Sequence, residues 1–194
     1  MKIALISCSK SKLGYRCEAK KLYSASKLFT LSYQYAGYFA DKIYILSAKH
    51  GLVKDSQVLD PYNFTLNNLP KNRQKDWANY VLSQMGKEFD LENDEFMILA
   101  GQNYYQNLAP RLRHWELPLD HMRYGERISF LQQQLQILQS RIPDSKNNPA
   151  NPANNQITAR LHQMFAAMPR YSWQDIDKIP FNNGIYIMFE KGNP

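Results

Sequence analysis

A chain of 194 residues, 44% hydrophobic and 21% charged, has room for one medium domain, or a domain and a fragment. That composition excludes a wholly disordered chain, a collagen-like fibre and a disulfide-built miniprotein, and no apolar run approaches the roughly 18 residues of a membrane span. The formal net charge of +7 is uneven: residues 1–60 carry ten Lys/Arg against four Asp/Glu, the remainder fourteen against thirteen.

Ile3–Ser7 is a short apolar run, too short for the h-region of a signal peptide, and is expected to be a buried strand. It ends in the polar loop Cys8-Ser9-Lys10-Ser11-Lys12. From Ala19 to about Ala40, apolar residues recur every three or four positions (Leu22, Ala25, Leu28/Phe29, Ala36), which predicts one helix with a buried face. Ile43–Leu46 is a second β-branched run, closed by Ser47-Ala48-Lys49-His50-Gly51. Leu59–Leu66 is irregular and broken by Asp60-Pro61. After Pro70, the spacing of Trp77, Val81, Met85 and Phe89 predicts a helix. Glu95–Ala100 is a third strand, followed by Gly101-Gln102 and a short helix to about Leu112. Trp115–Leu119 is a fourth strand, and Gly125 opens a helix with Ile128, Leu131, Leu135 and Leu138 on one side.

Short apolar strands alternating with helices require crossover connections, hence a three-layer α/β/α domain with a mainly parallel sheet of about four strands over residues 1–142. Residues 143–156 hold three Pro and five Asn and no Leu, Ile, Val, Met or aromatic residue, so they read as a linker with nothing to bury. Residues 157–194 offer one short helix and one strand, too little apolar area for a second domain.

In such a sheet, ligands bind beyond the carboxyl ends of the strands. The loops placed there carry Cys8, Ser9, Lys10 and Lys12, then Ser47, Lys49 and His50 with Asp60 and Tyr62 downstream, then Gly101, Gln102 and Tyr104, and after the fourth strand Asp120 and His121. Ser9-Lys10-Ser11-Lys12 reads as a phosphate cradle or as a solvated basic loop; without the glycines of a P-loop it does not predict triphosphate binding. Lys49-His50 offers an amine and a base, or simply a turn made by Gly51. Asp60-Pro61-Tyr62 is a carboxylate and a phenol aimed at the cleft, or a turn. Gly101 and Gln102 suit close approach to a base and reading of its edge, or a plain helix start. Tyr104 is a stacking group or a core residue. His114 and His121 lack partners at ligand spacing, so no metal site is expected, and no cofactor is expected for residues 1–142. Two cysteines, Cys8 and Cys17, make no disulfide framework and suit free thiols in a reducing cytoplasm. The basic first third suits a polyanion, or solvated lysines on helix faces.

Four segments together, Cys8–Lys12, Ala19–Ser24, Ser47–Leu52 and Asp60–Tyr62, resemble an uncharacterised bacterial and phage family related to the YaaA-like proteins and to the archaeosine synthase core. Ser47, Gly51-Leu52 and Pro61-Tyr62 match the serine, Gly-Leu and Pro-Tyr series of the YaaA-like proteins. Cys17, Lys21, Tyr23 and Ser26 fall on the archaeosine synthase spacing Pro-Cys, Lys-Pro-Tyr, Ser, His, with Arg16, Leu22 and Phe29 replacing its two prolines and its histidine. The resemblance covers about residues 1–130 and implies a protein acting on nucleic acid or on a modified base. YaaA-like proteins are associated with DNA binding, and the synthase acts on a deazapurine in tRNA.

Ile179–Phe189 resembles the opening strand of a GIY-YIG nuclease, which implies an active-site role for Tyr186. The arginine, the metal-binding glutamate and the Tyr-Ile-Gly strand of that family do not follow before Pro194, so residues 157–194 are expected to be an incomplete nuclease piece. A divalent metal is expected only where a parent protein completes that domain. The leading expectation is therefore a cytoplasmic nucleic-acid-processing domain acting on DNA or RNA. Lys49 or Lys21 would supply an amine, His50 or Asp60 would move protons, and Lys10 and Lys12 would hold phosphate. Tyr23, Ser26, Ser47 and Gly51 would complete the pocket. A non-catalytic DNA-binding specificity module and a small-molecule nucleoside or nucleotide enzyme are the alternatives.

Overall fold

The computed structural model describes residues 1–141 of the chain. The expected linker, the nuclease-like segment and Tyr186 lie outside the described residues. Five strands form the main sheet: β1 (Lys2–Ser7), β3 (Lys42–Ser47), β4 (Gly51–Lys54), β6 (Glu95–Leu99) and β7 (His114–Glu116), in the order β4-β3-β1-β6-β7. A two-stranded antiparallel ribbon pairs β2 (Cys17–Glu18) with β5 (Val58–Leu59). The helices are α1 (Ala19–Leu22), α2 (Lys27–Phe39), α3 (Lys71–Glu88), α4 (Gln102–Tyr105) and α5 (Tyr124–Arg141).

Burial on both faces of the central strands explains their uninterrupted apolar runs. Alternate side chains part to opposite sides. Ile3 and Leu5 of β1, Tyr44 and Leu46 of β3, and Phe96 and Ile98 of β6 pack with Trp77, Ala78, Val81 and Met85 of α3. Ala4, Ile6, Ile45, Met97 and Leu99 face the other way, onto Phe29 and Ala36 of α2 and Leu131 of α5. The expected three-layer α/β/α architecture is present, with a mostly parallel sheet.

The elements differ from the sequence reading in four places. A fifth strand, β4, follows β3 as an antiparallel hairpin, with Ser47 opposite Gly51. Gly51 makes this possible at φ +73, where side chains are disfavoured, and a Cβ there would collide with Gln84 Oε1. The single helix expected over Ala19–Ala40 is broken: α1 passes through a 3-10 turn (Tyr23–Ala25) and the chain restarts at α2, because the Ser26 side chain accepts the Phe29 amide and caps a new helix. Val58–Leu59, within or beside the stretch read as irregular, pairs with Cys17–Glu18. The last strand is His114–Glu116 rather than Trp115–Leu119, and all three of its residues are exposed at the sheet edge.

The strand order sets the place of the site. From β1 the chain leaves to α2 on one face; from its neighbour β6 it leaves to α4 on the other, where Tyr104 packs beside Trp77. Strand order therefore reverses between β1 and β6, and the carboxyl ends of these two strands are where such sheets bind ligands.

Candidate functional site

Parallel pairing of β3, β1 and β6 brings three loops to one end of the sheet. Cys8 extends the ladder, its amide donating to Leu46 O at 3.0 Å. Its half-buried thiol accepts from the Ala48 amide at 3.4 Å and meets Tyr104 Oη at 3.4 Å. A second set of hydrogen bonds starts one residue earlier on β3. Ser47 is fully buried; its Oγ accepts from the His50 amide at 3.0 Å and bonds Tyr62 Oη at 2.8 Å, while its carbonyl accepts from Trp77 Nε1 at 3.0 Å. Tyr62 Oη also bonds Tyr23 Oη at 2.8 Å. The β2–β5 ribbon fixes this contact, since it binds the chain ahead of Asp60-Pro61-Tyr62 to the chain ahead of α1 and Tyr23.

Charge gathers on the ring of Tyr62. Lys12 Nζ lies 4.2 Å from its centroid and Lys49 Nζ 5.5 Å, and the His50 ring stands edge-on at 5.3 Å. Neither lysine forms an ion pair among the described residues. Lys12 also donates to Ser9 O at 2.8 Å, so it closes its own loop as well as capping the aromatic. Burial lowers the Lys12 pKa, opposed by the nearby Cys8. Burial, with Lys49 second, lowers that of His50, so the imidazole is neutral at pH 7. Burial pushes the Tyr23 phenol up to about 12 and raises those of Tyr62 and Tyr104 as well. All three phenols are therefore protonated and able to donate.

The structure thus gathers Cys8, Lys12, Tyr23, Ser47, Lys49, His50, Tyr62 and Tyr104. Tyr104 is buried, edge-on to Trp77 at 5.5 Å, so it is a wall of the site and not a stacking platform. Gly51 shapes the hairpin behind Lys49-His50. Asp60 and Lys21 stand apart: Asp60 is exposed and 3.8 Å from Arg16, and Lys21 Nζ lies 5.7 Å from the exposed Tyr15 ring. Gly101 precedes α4 as its N-cap, and Gln102 is exposed on its first turn with no side-chain hydrogen bond among the described residues. Ser9, Lys10 and Ser26 line an adjoining cavity of about 230 Å³. A larger hollow of about 460 Å³, beside Lys2, Phe39 and Glu116, lies away from these groups. Among the described residues no cluster of His, Cys, Asp and Glu could hold a metal ion, and no helix is long and apolar enough to cross a membrane.

Three participants carried no signal in the sequence. Trp77 reads as one more core position at helical spacing, yet its indole N–H holds the Ser47 carbonyl. The Ala48 amide is backbone, which no side-chain pattern reports. Arg127, on α5, also lines the 230 Å³ cavity, far in sequence from the Ser9–Lys10 loop and from Ser26 and Ser32 that line it too.

Residues 3–133, from β1 into α5, match a family of unknown function, DUF6884. The chain belongs to that family. Among curated proteins none matches it. The family's span contains every described residue of the cluster, from Cys8 to Tyr104, and Arg127 as well.

Proposed function

We propose that the domain binds nucleic acid and accepts one nucleotide unit in the crevice over the carboxyl ends of β1, β3 and β6. One observation carries this reading: Lys12 and Lys49 converge on the half-buried Tyr62 ring without a carboxylate partner among the described residues. Two ammonium groups beside one aromatic ring, neither paired with a carboxylate among the described residues, suit a polyanion, which releases its own counterions on binding. The half-buried Tyr62 ring, with the His50 ring edge-on beside it, suits contact with a base or sugar. For chemistry on the bound unit, neutral His50 is the available proton acceptor. The basic first third of the chain and the resemblance to YaaA-like proteins support the same reading. So does the nuclease-like segment near the end of the chain, which suits a module that brings a nuclease to its substrate.

The test is fluorescence anisotropy with short single strands of DNA and RNA between about 50 and 200 mM salt, where each phosphate contact steepens the fall in affinity. Binding is expected, with the salt slope reduced by about 1 for each of Lys10→Ala and Lys49→Ala. Absence of binding to every strand at low salt, or a slope that both substitutions leave unchanged, overturns the proposal.

A further inference from the structure

Next to the Tyr62 cluster, and sharing Cys8 with it, lies the cavity of about 230 Å³ between the first loop, the start of α2 and the side of α5. Its polar lining is one-sided. Ser9, Ser11, Ser26 and Ser32 contribute hydroxyls, Lys10 and Arg127 contribute cations, and no Asp or Glu lines it.

Three features of this lining point to an anion. The first is the N-terminus of α2, a helix of 13 residues with no acidic residue in its first turn. Ser26 takes up the Phe29 amide, and the amides of Lys27 and Leu28 have no acceptor among the described residues. The second is Ser32. It is only 2% exposed, its side chain makes no hydrogen bond among the described residues, and it lines the cavity floor. No fully occluded side-chain oxygen or nitrogen among the described residues lacks a partner, so the Ser32 hydroxyl opens onto the cavity. A hydroxyl open to the cavity and without a protein partner is available to a ligand oxygen there. The third is Arg127. Its guanidinium is held in place by two carbonyls, Met122 O at 2.9 Å and Ala100 O at 3.5 Å, and pairs with no carboxylate among the described residues. The nearby Asp120 is already engaged by Tyr105 Oη at 2.9 Å and His121 Nε2 at 3.1 Å.

We infer that this cavity is a phosphate subsite, which takes the phosphate of the nucleotide whose base or sugar lies over Tyr62. The inference rests on the proposed nucleotide reading of the crevice. Its volume is below the roughly 300–1,000 Å³ of sites that enclose a whole small ligand, which suits one group of a larger molecule. Arginine supplies the fork of donors that a phosphate accepts, and the helix start adds aligned N–H groups.

The experiment follows the 31P line width of inorganic phosphate, and the 1H line widths of nucleoside 5′-monophosphates beside those of their parent nucleosides, with the full chain at low ionic strength. Affinity for inorganic phosphate is expected to fall at least about tenfold in Arg127→Met and about threefold in Ser32→Ala, the range of one charged and one neutral hydrogen bond. The monophosphates are expected to bind more tightly than their nucleosides. Because Arg127 also braces two carbonyls, Ser32→Ala and Lys10→Gln carry the test if Arg127→Met does not fold. No broadening with the wild-type chain, or broadening that the substitutions leave unchanged, overturns the subsite. If single strands bind while phosphate affinity ignores these variants, the nucleic-acid reading stands and the subsite falls. If phosphate binds and responds to the variants but no strand binds, the subsite stands and the nucleic-acid reading falls.

Discussion

Removing one oxygen tests how the Tyr62 cluster is held together. In Tyr62→Phe the ring and its contacts with Lys12, Lys49 and His50 remain, and the bridge between Tyr23 and Ser47 is lost. Ser47 Oγ keeps the His50 amide, but the Tyr23 hydroxyl, on a residue with no exposed surface, loses the partner it holds at 2.8 Å. Leaving a buried hydroxyl unpaired costs about 1–3 kcal/mol, so a loss of roughly 2 kcal/mol is expected. Tyr23→Phe is milder, about 1 kcal/mol, because Tyr62 still bonds Ser47. The double variant removes the very hydroxyl whose isolation made Tyr62→Phe costly, so its loss should be near 2 and not 3 kcal/mol, a coupling of about 1 kcal/mol. Urea unfolding reads these values directly, the larger loss lowering the midpoint by roughly 1 M. Additivity of the two single losses within about 0.5 kcal/mol would refute a shared buried network.

Gly51→Ala should destabilise the domain by about 1–3 kcal/mol, since it combines a positive φ with a Cβ forced onto Gln84 and Tyr80, whereas Gly37→Ala on the open face of α2 should stabilise by about 0.5–1 kcal/mol; thermal melts of both separate the two cases. Because the folded His50 pKa lies below its ordinary 6.5, the unfolded chain binds its proton first as pH falls. The stability tied to neutral His50 is therefore complete above that value and is lost as pH drops through it. His50→Asn should flatten the change in urea midpoint across this window, and an unchanged pH profile would count against the assignment. Lys49 is exposed and its ammonium forms no hydrogen bond or ion pair among the described residues, so Lys49→Ala should leave the melting temperature within about 1 °C while weakening binding to single strands. A large drop in melting temperature would give Lys49 a structural task instead.

Much of the layer structure was legible in sequence because it rests on local patterns. Ile3–Ile6, Ile43–Leu46 and Phe96–Leu99 are short apolar runs that only a strand covered on both faces can bury, and Trp77, Val81 and Met85 recur with the helical period. The rule that ligands meet at the carboxyl ends of parallel strands then directs attention to Cys8, Ser47, Lys49 and His50. That rule names a neighbourhood, and the distances within it depend on pairings between distant segments. Tyr62 reaches Ser47 and Tyr23 because Val58–Leu59 pairs with Cys17–Glu18, a two-residue ribbon too short to leave a periodic signal. Tyr104 faces inward and Asp60 outward for reasons of packing that neither residue's type expresses. The break at Ser26 depended on a choice between continuing a helix and capping a new one, and that choice opened the cavity beside α2.

The composition, the charge asymmetry and the alternation of strands with helices are properties of the chain read in order, since they follow from hydrophobicity and backbone periodicity alone. Tertiary structure decided which polar groups meet, Ala48 with Cys8 and Tyr23 with Tyr62, and which line one cavity, Arg127 and Ser32. The physical reason is that a hydrogen bond or a charge contact depends on separations of a few ångströms. Across tens of residues, those separations are set by strand order and helix packing.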